Sequence, residues 1–254
     1  MPRFVYATAI LPGKTELVRH AYQQKQLNTE GQKEEEYWNL IGLEGWQAWI
    51  HHAPRADYFI HAPETKNLES LFHALQDQIE AGNALAEWLR DFYLDVTGKD
   101  YSHTSATPDL ELMFTSEITT PAPQQGTVVS RGFVYPLIPA KVTAHREFWR
   151  QCQGEYRYRI QDANREQGII KDTRYLQKTP HQDFLVTYQE LISSDQERDE
   201  KRSEAQASPA SKWMSDVLKE HTGLTVKQLE PAVESLTRQP RATIDQWRPL
   251  AYSS

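Results

Sequence analysis

The chain has 254 residues, of which 39% are hydrophobic and 25% are charged, a composition typical of a folded protein rather than a disordered one. Its net charge of −7 argues against a dedicated nucleic-acid-binding surface, because phosphate contacts need concentrated lysine and arginine. The single cysteine, Cys152, cannot form a disulfide within the chain, and no apolar stretch reaches the roughly 18 residues of a membrane span. We therefore expect a cytoplasmic protein without nucleic-acid or membrane partners.

The two halves of the sequence match each other in the same order. Gly42 matches Gly168 at an offset of 126 residues, as do Pro54 and Pro180, Asp57 and Asp183, and Glu64 and Glu190. Arg19 matches Arg146 upstream, and Trp88 matches Trp213 and Gly98 matches Gly223 downstream, at offsets that differ by one residue. This co-linear series predicts a tandem repeat, with repeat 1 at 1–120, a linker at 121–131 and repeat 2 at 132–254.

Each half is predicted to contain the order strand, helix, strand, strand, helix, strand. The predicted strands cover 4–10, 46–52, 57–62 and 110–117 in the first half, and 133–138, 172–178, 183–188 and 244–252 in the second. A long helical stretch begins near Pro12 or Pro139, where a missing N–H costs little, and the second helix ends at Gly98 or Gly223. This order is the ferredoxin-like split βαβ, so the predicted fold class is α+β with two ferredoxin-like repeats.

The halves differ in the stretch before Trp88 and Trp213. In the first half, apolar residues recur at helical spacing over 68–79, which predicts an amphipathic helix. In the second half, the mixed charges of 193–208 predict a solvated helix or loop. Because a tryptophan recurs at a matching helical position in both halves, we expect each one to anchor its helix against a sheet.

Each predicted hairpin has two faces. A regular turn at 53–56 places Trp49, His51, Tyr58 and Ile60 on the first face, and Ala48, Ile50, Phe59 and His61 on the second. The equivalent first face of the other half holds Tyr175, Gln177, Phe184, Val186 and Tyr188, and its second face holds Arg174, Leu176, Lys178 and Thr187. We assign the more aromatic first face to the helices and expect the second face to meet the partner sheet. A shift of one residue would exchange these faces.

His51 and His61 are the candidate catalytic residues, because imidazole titrates near neutral pH and serves as an acid or a base. Tyr6, Trp49 and Tyr58 are candidate ligand-binding residues beside them. The alternative is structural: histidines that complete a strand end or a sheet, and aromatic rings that belong to the core. No histidine or cysteine spacing matches a metal-ligand motif, so no metal site is predicted. The expected site lies in the first half, where the histidines are concentrated.

The proline-ended strand, the long helix, the hairpin and the closing tryptophan and Thr-Gly together resemble a bacterial family of uncharacterised ferredoxin-like domains. More broadly, they are similar to the dimeric α/β-barrel superfamily, in which two such domains set their sheets face to face. The superfamily includes cofactor-free monooxygenases, isomerases, cyclases and haem proteins, so the resemblance implies architecture more than chemistry. It implies a small-molecule enzyme of the monooxygenase, isomerase or cyclase type.

Two other functions stay open: a non-catalytic ligand-binding or interaction protein, and a haem-binding protein. No other cofactor is expected, and the expected partner is a small molecule. Because both repeats belong to one chain, the interface of a single-domain dimer is satisfied internally. We therefore expect a monomer that forms a pseudo-dimer and that can associate further.

Overall fold

The computed structural model describes residues 4–27, 37–103, 106–117, 127–193, 209–229 and 232–236. Its strands are β1 (Tyr6–Ala9), β2 (Gly45–His52), β3 (Asp57–Glu64), β4 (Asp109–Glu117), β5 (Thr127–Pro136), β6 (Ile169–Lys178), β7 (Phe184–Ser193) and β8 (Ala232–Ser235). Its helices are α1 (Thr15–Leu27), α2 (Leu68–Glu80), α3 (Ala84–Thr97), α4 (Val142–Gln153), α5 (Arg157–Glu166), α6 (Pro209–Thr222) and α7 (Val226–Leu229), with a 3₁₀ turn at Pro139–Lys141. The fold class is α+β, as predicted.

The strands form two four-stranded antiparallel sheets, in the orders β1-β3-β2-β8 and β4-β6-β7-β5. In each sheet the third strand of a half lies between the first and second strands of that half. The fourth strand of each half crosses over: β4 pairs with β6 of the second half, and β8 pairs with β2 of the first. The two halves therefore complete each other's sheets.

Three segment predictions are affected by the bounds of the described strands and residues. The last strand that the structure describes lies at Ala232–Ser235, whereas the predicted strand at 244–252 and the charged run at 194–208 lie outside the described residues. β5 begins at Thr127, inside the segment 121–131 that was predicted as a linker.

Local signals explain where the helices begin and end. The Asn67 side chain accepts a hydrogen bond from the Ser70 N–H at the start of α2, and Asn83 caps α3 in the same way. α3 ends at Gly98 with a φ of 70°, and α6 is followed by Gly223 with a φ of 71°, a left-handed conformation that glycine adopts without strain. The predicted helix-ending glycines are confirmed.

The matching positions of the two halves make matching contacts. Lys14 pairs with Asp95 at 2.6 Å in the first half, and Lys141 pairs with Glu220 at 2.6 Å in the second. The Thr97 hydroxyl donates to a carbonyl one turn earlier in α3, and the Thr222 hydroxyl does the same in α6. The helices themselves begin at matching residues, α1 at Thr15 and α4 at Val142.

Apolar side chains fill three layers: one between each sheet and its helices, and one between the two sheets. The predicted hairpin register is confirmed, since His51 lies opposite Tyr58 and His61 opposite Ala48. The predicted assignment of the faces is wrong. Trp49 and Tyr58 lie in the layer between the sheets, and Phe59 lies in the layer beneath the helices. Both faces of each sheet are covered, so aromatic content does not distinguish them.

The second half shows the same exchange of faces. Tyr175, Val186 and Tyr188 pack between the sheets, whereas Leu176 and Leu185 pack under the helices. The prediction that the two tryptophans are equal anchors is also wrong, because Trp88 is 47% exposed while Trp213 is half-buried.

Candidate functional site

His51 connects the two sheets. It is 2% exposed, and its Nδ1 accepts a hydrogen bond of 3.3 Å from the backbone N–H of Val134. Gln177, at the matching position of the second half, bonds both backbone groups of Ala7 at 2.8 Å. Burial and the nearby His52 lower the pKa of His51 to about 4, so the ring is neutral at pH 7. His51 and Gln177 thus each form hydrogen bonds with the backbone of the other half.

Trp49 and Tyr58 pack tightly in the same layer. The Trp49 indole N–H donates to the Ser130 carbonyl at 3.2 Å, and its ring lies against Tyr188. A Cβ on Gly132 would approach the Trp49 ring to 2.7 Å, so only glycine leaves room for this indole. The structure thus places two of the predicted site residues, Trp49 and Tyr58, in the layer between the sheets. It buries His51 against the rings of Phe133 and Tyr135.

A cavity of about 100 Å³ lies on the other face of the first sheet, beneath α1, α2 and α3. We call it the Trp88 cavity, after the half-exposed indole among its lining residues. The others are Tyr6, Ala21, Tyr22, Trp38, Ile41, Leu43, Trp46, Leu71, Phe72, Leu75, Leu89, Phe92, Tyr93 and Tyr101. Tyr6 is the one predicted site residue that lines it. The alternating pattern of β1 turns Tyr6 toward the helices, and the amphipathic face of α2 supplies Leu71, Phe72 and Leu75.

His61 lies directly behind the wall of the Trp88 cavity. Its ring stacks on Tyr6 at 4.8 Å and contacts Trp46 at 5.1 Å, and both of these side chains line the cavity. Its Nδ1 is 3.5 Å from the Tyr93 hydroxyl, and its buried Nε2 has no hydrogen-bond partner among the described residues. The Tyr22 and Tyr93 hydroxyls also lie close enough for each to influence the pKa of the other. A polar chain therefore runs from the lining hydroxyls to a buried imidazole.

The site is uncharged at neutral pH. Burial, with a smaller effect from the Lys99 charge, holds the pKa of His61 well below its ordinary value. Burial raises the pKa of Tyr101 to about 12 and also raises the pKa values of Tyr6 and Tyr93 well above their ordinary value. None of the described residues that line the cavity is acidic or basic. The cavity thus offers hydrogen bonds and aromatic faces, but no countercharge.

A haem does not fit this lining. Haem iron is held by histidine, cysteine, methionine or a tyrosinate. Among the described lining residues there is no histidine, cysteine or methionine, and a cavity of about 100 Å³, smaller than the roughly 150 Å³ that holds benzene, has no room for a porphyrin. His61 is fully buried behind this wall.

Four residues that line the cavity are not predicted as site residues from the sequence: Ala21, Tyr22, Trp88 and Tyr93. A signal was available, because the residues that match Ala21 and Tyr22 in the second half are Phe148 and Trp149, which are larger. Where matching positions of the two halves hold a small and a large residue, the packing of the halves differs.

No protein-family model and no curated protein matches the chain significantly. Among solved structures, the chain is similar to an "anthrone oxidase-like protein", with 12% identity over 96% of this chain and 100% of that one, at a TM-score of 0.46. It is also similar to a "putative monooxygenase" from Fusobacterium nucleatum subsp. nucleatum, with 10% identity over 86% and 85% of the two chains and a TM-score of 0.42.

A "putative monooxygenase" from Lactobacillus acidophilus NCFM is similar at 11% identity, over 93% of this chain and 92% of that one, with a TM-score of 0.39. Likenesses this distant do not determine the chemistry of the chain. None of the described helices is both long and apolar enough to span a membrane.

Proposed function

We propose that the protein binds a small molecule in the Trp88 cavity. One observation carries this proposal: an aromatic cavity in the first half ends in polar groups that reach His61, whose buried Nε2 has no hydrogen-bond partner within the described part of the chain. Ligand sites are commonly apolar concave surfaces with a few converging polar groups. A ligand that extends into this cavity would bury its apolar part against the rings and place a polar group near the Tyr22 and Tyr93 hydroxyls.

We also infer that the two halves are diverged ferredoxin-like repeats, which form a dimeric α/β barrel within one chain. The split βαβ order of each half supports this inference, as do the matching pairs Lys14–Asp95 and Lys141–Glu220. A duplicated chain needs two stable halves but a single working site, which leaves one half free to keep an open cavity.

A second candidate function is turnover of the bound molecule, in the monooxygenase, isomerase or cyclase manner that the sequence resemblance implies. The Tyr93–His61 pair favours it, because a neutral imidazole behind a hydroxyl can accept or return a proton through that hydroxyl. Tyr93 would contact the ligand, and His61 would act through Tyr93 as a positioning residue.

Crystals of the full chain under xenon pressure test the binding proposal, because xenon enters apolar cavities. We expect xenon between Tyr22, Trp88 and Tyr93. Xenon found only at other places would contradict the proposal.

Turnover is tested separately, with a panel of phenols and measurement of oxygen uptake and product mass. Tyr93→Phe should then remove turnover while xenon still binds, because the ring remains and the hydroxyl is lost. Equal turnover by Tyr93→Phe and the unaltered chain would exclude the catalytic role of this hydroxyl.

A further inference from the structure

In the second half, the side chain of Phe148 occupies the space that corresponds to the Trp88 cavity of the first half. Phe148 is 8% exposed, and its ring lies 5.3 Å from the Trp213 ring and 5.0 Å from the Trp149 ring. The matching residue of the first half is Ala21, which has no ring and lines the Trp88 cavity.

The neighbours of this space also match. Trp213 and Trp149 match Trp88 and Tyr22, both of which line the cavity. In the first half, Trp88 stacks on Phe92 at 5.4 Å and remains 47% exposed, because no ring at position 21 covers its other side. The difference between alanine and phenylalanine therefore leaves a space shaped for one aromatic ring.

We propose that the ligand of the Trp88 cavity is an uncharged, flat aromatic molecule, whose ring lies between Tyr22 and Trp88 where Phe148 lies in the other half. Ala21 is a residue that determines this specificity, because a larger side chain at this position would fill the space, as Phe148 does in the second half. The proposal rests on the proposed function and names the ligand class of the same site.

Volume and electrostatics agree with this ligand class. An apolar cavity of roughly 150 Å³ holds benzene, and the Trp88 cavity of about 100 Å³ is partly open, so a ring can enter while the rest of the molecule stays outside. A charged ligand would lose its hydration and find no opposite charge among the described lining residues. An aromatic ring also gains from offset or edge contacts with the surrounding rings.

The first experiment compares three probes of one shape with the full chain at pH 7, by isothermal titration calorimetry: 2-naphthol, which is neutral, 2-naphthoate, and 2-naphthylmethylammonium. We expect 2-naphthol to bind at least about tenfold more tightly than either ion, a difference of about 1.4 kcal/mol. Equal binding of either ion would overturn the proposed ligand class. Failure of all three probes, together with the absence of xenon from the cavity, would instead overturn the proposed function.

The second experiment introduces the second-half residue into the first half. Ala21→Phe should weaken 2-naphthol binding at least about tenfold, whereas the same change at the exposed Ala140 should leave the affinity unchanged. Ala21→Leu serves if the phenylalanine variant does not fold, and it should weaken binding to a smaller extent. Unchanged affinity in the folded Ala21 variant would overturn the role of this residue.

Discussion

Each half of the chain has a layer of side chains between its sheet and its helices, and the contents of the two layers differ. In the first half, Trp46 and Ala48 stand under the helices beside an open cavity. At the matching positions of the second half, Asp172 and Arg174 form a buried ion pair of 2.7 Å, and the guanidinium lies 4.3 Å from the centre of the Trp149 ring. An ion pair and large rings fill the layer of the second half, whereas the aromatic side chains of the first half surround a cavity.

The same contrast continues between the helices that cover the layers. Val18 and Val96 are fully buried in the first half, and the matching residues of the second half are His145 and His221. The Trp149 indole N–H donates to Nε2 of His145, so Nδ1 of His145 carries the proton and donates to His221 at 3.0 Å. These three side chains therefore form hydrogen bonds with one another inside the layer. Among the described residues, rings and paired polar groups occupy the layer beneath the helices of the second half, whereas the corresponding layer of the first half contains the Trp88 cavity.

Phe148→Ala is the variant with the largest expected effect, and it tests whether the Phe148 ring fills the layer of the second half. Removing a buried phenylalanine costs about 3–5 kcal/mol, because apolar contacts are lost and a cavity remains. We expect urea unfolding to report a loss in this range. Ala21→Phe is the matched control and should cost less, since it fills an existing cavity.

The Phe148→Ala variant should also gain a binding site. If an aromatic ring belongs in this space, the variant should bind a second equivalent of 2-naphthol in the second half. A loss of stability under about 1 kcal/mol would show that Phe148 does not fill the layer.

Part of this architecture could be predicted from the sequence, because alternating apolar residues and turn signals act locally. The hairpin register around His51 and Tyr58 and the helix-ending Gly98 are of this kind. The side of the sheet that faces the helices could not be predicted, since both faces are apolar and covered. The exchange of β4 and β8 depends on long-range pairing that no local pattern encodes. The cavity depends on the combined volumes of side chains from β1, β2, α1, α2 and α3, and Ala21 of α1 is one of these side chains.

The layer between the sheets offers a second test at Gly132. The residue that matches Gly132 in the first half is Val5, and the residue that matches its neighbour Trp49 in the second half is Tyr175. The smaller residue, Gly132, therefore lies against the larger ring, Trp49. Gly132→Ala would place a Cβ 2.7 Å from Trp49 and 2.8 Å from Ile60. We expect a loss of about 1–3 kcal/mol by urea unfolding, as for other overpacked cores.

Trp49→Phe in the Gly132→Ala background should recover part of this loss, because the smaller ring leaves room for the methyl group. Independent, additive effects of the two changes would contradict the packing conflict. Val5→Ala is the control for a change in size at the matching position, without an approach to Trp49.

His51 and Gln177 provide a comparison that depends on pH. The pKa of His51 is lowered to about 4 in the folded chain, from an ordinary value of 6.5. Between these values the unfolded chain binds the proton more readily, so the contribution of neutral His51 to stability is complete above pH 6.5 and is lost as the pH falls toward 4. His51→Gln removes this loss.

The free energy of unfolding of His51→Gln should therefore fall less steeply between pH 6.5 and 4, by up to about 1.4 kcal/mol per pH unit. Gln177→His is the mirror variant and should make the dependence steeper. The glutamine at position 51 can repeat the backbone contacts of Gln177, so stability at pH 7 should change little. Parallel pH profiles of His51→Gln and the unaltered chain would contradict the burial of a neutral imidazole at this position.

The smallest expected effect on stability concerns Trp88. Trp213 contacts the rings of Phe148 and Tyr156 at 5.3 and 5.4 Å, so Trp213→Ala should remove contacts on two sides. Trp88 is 47% exposed and stacks on Phe92, so Trp88→Ala should cost about 1 kcal/mol or less by urea titration. The same Trp88→Ala variant should weaken 2-naphthol binding, since the indole that would cover the ring is gone. Equal losses of stability at the two tryptophans would show that Trp88 anchors α3 as Trp213 anchors α6, and a ligand ring would then have no free indole face to cover.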